Sequence, residues 1–136
     1  MGGLKTYLLG ICASLALAGA AFALPASPIE RVKVFATCAG RLSALEQYQW
    51  MFDGPASERT ARRIAAFDDI LAALLPYAAD TGLPDRQALI WRVAAKTPQA
   101  GLMQDARFAT DPRRAGLAAK AAEAALTACD GLLLGV

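Results

Sequence analysis

Arg41, Glu46 and Gln49 lie within one apolar-rich stretch, "FATCAGRLSALEQYQWMFDGP", Phe35 to Pro55. A guanidinium, a carboxylate and an amide around one cavity would hold a small anionic ligand. They would also suit a mutase-like pericyclic reaction, which asks for positioning and electrostatics more than for a nucleophile. Asp68 would neutralise part of the arginine's charge. The structural counterpart is an interhelical Arg41–Asp68 ion pair that fixes register, and the spacing predicts that these two side chains meet. Gln49 falls mid-stripe, where a buried amide must find a partner, and Thr60 is expected at its level.

Little else in the chain is equipped for catalysis. There is no histidine, which removes the commonest general base and metal ligand. The chain has no GxxxxGK[ST] or GxGxxG phosphate loop, no GxSxG elbow and no CxxCH haem attachment. The adjacent carboxylates Asp68 and Asp69 would diverge by about 100° on a helix, so they do not converge on one metal. No metal and no cofactor are expected. A formal charge of +2 is too small a field to point to nucleic acid.

A second polar set has a different character. Trp50 lies about 120° from the centre of the apolar stripe, against a neighbouring helix or on a surface that meets a partner. Met51 follows it, and Arg59, Arg62, Arg63, Arg107, Arg113 and Arg114 gather at the same end of the expected fold. Asp53, Glu58, Asp105 and Asp111 answer part of that charge, and Glu58 and Arg62 have the spacing of a helical ion pair. Such an end would suit an acidic or membrane-associated protein partner.

The N-terminus reads as a leader. "MGGLKTY" carries one positive charge, a short apolar run follows, and Ala21-Phe22-Ala23 supplies a small-x-small cleavage signal. The run is shorter than the roughly 20 residues of a comfortable membrane span. Residues 1–23 are therefore expected to be cleaved, and residues 24–136 to form one domain. Retention of the leader as an anchor for a membrane-complex subunit is the alternative. Arginine outnumbers lysine and alanine is abundant, as in a GC-rich bacterial genome, so export would place the domain in the periplasm or beyond, where Cys38 and Cys129 read as a disulfide rather than a redox pair.

These side chains need helices to hold them, and no strand pattern competes. Ser27-Pro28-Ile29-Glu30 reads as a capping box that opens a first helix, ended by Asp53-Gly54-Pro55. Its stripe holds Val34, Phe35, Cys38, Leu42, Leu45, Gln49 and Phe52. A second helix from about Ser57 turns Thr60, Ile64, Phe67, Leu71, Leu74, Leu75 and Ala78 inward, with Pro76 weakening its end. A third runs from Pro84 or Asp85 towards Phe108, kinked or split at Pro98, and has two apolar faces. Asp111-Pro112 starts a fourth, with Leu117, Ala118, Ala121, Ala125, Cys129 and Leu132 on its face. Leu132, Leu133 and Leu134 would cover the open end near Pro25 and Ile29.

Short connections make consecutive helices antiparallel, giving an all-α, up-down-up-down four-helix bundle. Cys38 would then lie roughly 21 Å from one end of the bundle and Cys129 roughly 26 Å from the same end, about one turn apart. A Cys38–Cys129 staple between the first and fourth helices fits that geometry. The leading functional expectation is a non-enzymatic interaction or accessory module; the anionic-ligand site at Arg41, Glu46 and Gln49 is the second.

Overall fold

The computed structural model describes residues 24–134, and the expected leader with its anchor alternative lies outside them. Four helices account for most of the described chain: α1 Pro28–Phe52, α2 Gly54–Asp80, α3 Gln87–Phe108 and α4 Pro112–Leu134. Each boundary has a local cause. Pro28 sits in the first turn of α1, where a missing N–H costs nothing. Ser27 occupies the N-cap position without a side-chain cap bond, so the expected capping box is not made. Asp53 ends α1 and caps α2, its Oδ1 accepting from the Ala56 amide at 3.0 Å. That cap starts α2 three residues before Ser57. Asp111 likewise accepts from the Arg113 amide at 2.9 Å at the head of α4.

α2 closes with Gly82 at φ +100°, a left-handed position that glycine adopts without a Cβ penalty. The Gly82 amide donates to the Ala79 carbonyl and the Leu83 amide to the Ala78 carbonyl, both at 2.9 Å. Leu83 then packs in the same buried cluster as Ala78, completing a Schellman closure. α3 runs unbroken through Pro98, so the expected split does not occur.

α1 is the hub. It packs along α2 and along α3, α3 packs along α4, and α4 meets α1 over a short stretch. Facing residues give the directions. Thr60 of α2 bonds Gln49 while Phe67 meets Phe35, so α2 runs antiparallel to α1. Lys33 lies over Trp91 and Arg107 over Phe52, so α3 runs parallel to α1. Gln99 reaches Ala122 and Arg114 reaches Asp105, so α4 runs antiparallel to α3. The up-down-up-down bundle follows.

The hub position explains why α1 is buried on more than one stripe. Phe35, Cys38 and Leu42 are covered as their periodicity implies, and so are Val32, Ala36, Ala39, Gly40 and Ala44 on other sides. Phe52, expected in the stripe, stands 49% exposed beyond the packed region. Small residues let neighbouring backbones close in. A Cβ added at Gly40 would overlap the Arg92 carbonyl, so α1 and α3 cross at a glycine. On α4 the covered residues are Ala118, Ala122 and Cys129, whereas Leu117 is 61% exposed and Ala121 is also exposed. The face is thus rotated from the one expected.

Cys38 and Cys129 form a disulfide, with Cα atoms 5.5 Å apart, joining α1 to α4. Among the described residues no helix is long and apolar enough to cross a membrane.

Candidate functional site

Arg41 does not meet Asp68. On α1 it lies about 100° from Leu42, and its guanidinium is directed to α4. Its Nη1 instead donates to the Ala125 carbonyl of α4 at 3.2 Å and lies 4.0 Å from Cys129 Sγ. Asp68 is taken by Arg92 of α3, whose Nη1 stands 2.6 Å from Oδ1, while Arg92 Nη2 also donates to Ser43 Oγ at 3.4 Å. The ion pair that ties α2 across α1 is therefore Arg92–Asp68. Sequence reading missed it because the orientation of α3 was ambiguous.

Nor do Arg41, Glu46 and Gln49 share a cavity. Glu46 is about 140° around α1 from Arg41, and Gln49 about 80°. Gln49 Oε1 accepts from Thr60 Oγ1 at 2.6 Å, a contact between α1 and α2 near the bundle end. Arg41 alone of the three lines two adjoining hollows, which meet at Thr37 and Arg41. Both lie over α1 beside α4: one is walled by Lys33, Val34 and Leu132 and reaches Leu24 and Pro25, and the other is walled by Trp91 and Leu102 of α3.

The end formed by the α1–α2 and α3–α4 turns is exposed and aromatic. Trp50 is 77% exposed, Met51 65%, and Phe108 65%. Tyr48 and Phe52 rings are 5.0 Å apart, and the Arg107 guanidinium lies 4.2 Å from the Phe52 centroid and 6.0 Å from that of Phe108. Arg107 Nη1 also donates to the Tyr48 hydroxyl at 3.5 Å. Stacked against two rings, this guanidinium holds apolar surface in place at a solvated position.

The arginines divide. Arg114 pairs with Asp105, Nη2 to Oδ2 at 2.9 Å, and Arg63 pairs with Asp130 of α4 away from this end. Arg59, Arg62, Arg107 and Arg113 have no carboxylate partner among the described residues. The expected Glu58–Arg62 pair is not made, and Asp53 and Asp111 serve as helix caps. Phe52 and Phe108 were missing from the expected surface. Their signal was position, since each closes its helix immediately before a turn.

Leu89, Ile90 and Val93 form a second exposed apolar strip on α3, more than half exposed in each case. It is the other of that helix's two apolar faces. Among the described residues no group of three or more acidic or cysteine side chains is placed to hold a metal ion. Comparison of the chain with protein-family models, with curated proteins and with solved structures gives no match.

Proposed function

We propose that the protein is an exported, periplasmic, non-enzymatic interaction module that docks an acidic surface of a partner protein through its Trp50 end. The observation that carries this reading is Trp50 at 77% exposure beside Met51, Phe52 and Phe108, among four arginines without carboxylate partners. Large aromatic area costs free energy in water, and tryptophan and arginine are the residues that dominate protein interfaces when they become desolvated. Unpaired guanidinium groups around such a centre favour carboxylates on the partner and accelerate encounter. Arg41, Glu46 and Gln49 stand on different faces of α1 and do not line one cavity together, which favours this reading over a mutase-like site.

The test is a pull-down from periplasmic and membrane fractions with mass spectrometry of everything retained. Wild type is compared with a Trp50→Ala, Arg59→Ala, Arg62→Ala variant of unchanged helicity. A protein retained by wild type, released by moderate salt and lost from the variant is the expected result. The same proteins retained by both forms would remove this surface from the reading. Mass spectrometry of the bait also reads its N-terminus, and a start at Leu24 is expected.

A further inference from the structure

We propose that the groove along α1, walled by α4 and over part of its length by α3, binds an amphiphilic monocarboxylate, a straight-chain fatty-acid anion, with its head group on Arg41. This site is separate from the Trp50 end and does not depend on its function.

Arg41 is half-buried, and its contacts are one backbone carbonyl and one sulfur. No carboxylate partner for it exists among the described residues. A guanidinium offers five donors, and one drawn out of water is stabilised when a carboxylate takes two of them together. Arg41 faces the two hollows, of about 390 and 340 Å³, that meet beside it. Together they are within the size range of small-molecule sites.

The walls select the rest of the ligand. Val34, Trp91, Ala95, Leu102, Ala128 and Leu132 present apolar surface along the groove. Ala94 and Ala95 of α3 and Ala125 and Ala128 of α4 are among the small residues on its walls, and Arg41 reaches across to Ala125 where the two hollows meet. Lys33 is engaged at the rim, its Nζ 5.9 Å from the Trp91 ring centroid. Glu30 stands near the mouth, eleven residues and therefore roughly 16 Å along α1 from Arg41. A second anionic group on the ligand would approach that carboxylate, so a molecule charged at one end is favoured over a dicarboxylate. Arg41 in the depth of an apolar groove, with Glu30 and Lys33 of opposite sign near its mouth, is complementary to a fatty-acid anion.

The experiment is heteronuclear NMR of the full chain titrated with octanoate, decanoate and dodecanoate below their micellar concentrations. The chain has two tryptophans, Trp91 in the groove and Trp50 at the far end, whose indole N–H signals are assigned with Trp50→Phe. A saturable shift of the Trp91 signal with a stationary Trp50 signal is expected. Decanol, with the same tail and no charge, should bind wild type about tenfold to a hundredfold more weakly, as for loss of a charged hydrogen bond. Arg41→Gln should weaken decanoate to a similar degree, and Lys120→Gln should not. Equal binding of decanol and decanoate by wild type would overturn the proposal without any mutant that must fold. So would movement of both indole signals together. Absence of a saturable shift, as from a groove already filled by residues 1–23 or by a protein, overturns it too.

Discussion

At the scale of single residues, two glycines of the bundle make opposite demands. Gly40 lies where α1 crosses α3, and a Cβ there would overlap backbone atoms of Arg92, which cannot swing aside as a side chain would. Gly101 is inside α3 with nothing within 4 Å of its added Cβ. The helix-propensity gain of Gly→Ala is about 1 kcal/mol at either site. At Gly40 overpacking against backbone should cost about 3 kcal/mol, so Gly40→Ala is expected to lower stability by about 2 kcal/mol net. Gly101→Ala should raise it by about 1 kcal/mol. Urea unfolding of the two variants beside wild type checks the pair, and the same sign for both would contradict the close crossing. The Gln49–Thr60 contact is held to the same logic, because Thr60 is buried and its hydroxyl donates to the amide. Thr60→Val leaves that amide oxygen without its donor, and a loss of about 1–3 kcal/mol is expected in the same measurement.

At the scale of elements, the proline inside α2 carries its own prediction. Pro76 removes one helical hydrogen bond and crowds the preceding turn, at about 3 kcal/mol in a helix interior. Its stiffening of the unfolded chain offsets up to about 1 kcal/mol. Pro76 is exposed, so no packing opposes its replacement, and Pro76→Ala should raise stability by about 2 kcal/mol. A lower thermal midpoint for this variant would show that α2 depends on the proline. The helices themselves were legible in the sequence because capping aspartates, first-turn prolines and the closing glycine act locally. Their rotations were less so. α2 shows one apolar stripe and only Leu75 leaves it, at 37% exposure. α3 shows two, and only the tertiary packing chooses Gln99 and Met103 for burial over Leu89, Ile90 and Val93. That single ambiguity hid the Arg92–Asp68 pair and the groove above Arg41. Both depend on which way α3 faces, whereas the Gln49–Thr60 contact depends only on α1 and α2.

At the scale of the whole molecule, the disulfide reinforces the smallest of the helix contacts. α4 lies along α3 and meets the hub helix only over a short stretch, where Leu126, Leu132 and Leu133 pack against the α1 core, so the bond reinforces a small contact. Cys38 and Cys129 are separated by 91 residues, and closing a loop of that length restricts the unfolded chain by about 4 kcal/mol in the chain-entropy account. Set against the 5–15 kcal/mol typical of a folded domain, that is a large share. Two outcomes should separate on reduction. Global stability should fall by about 4 kcal/mol in denaturant titration with the bond opened, because the restriction acts on the unfolded state. Local protection should fall unevenly in hydrogen exchange. Amides of α4 beyond Ala125 should open first, while α1 and α2, packed around Phe35, Leu42 and Phe67, keep theirs. The Arg41 bond to the Ala125 carbonyl lies at that boundary, so reduction should also loosen the groove. Uniform loss of protection across all four helices would mean that α4 is held by its packing on α3 as firmly as by the bond. In that case the groove would keep its shape in either redox state.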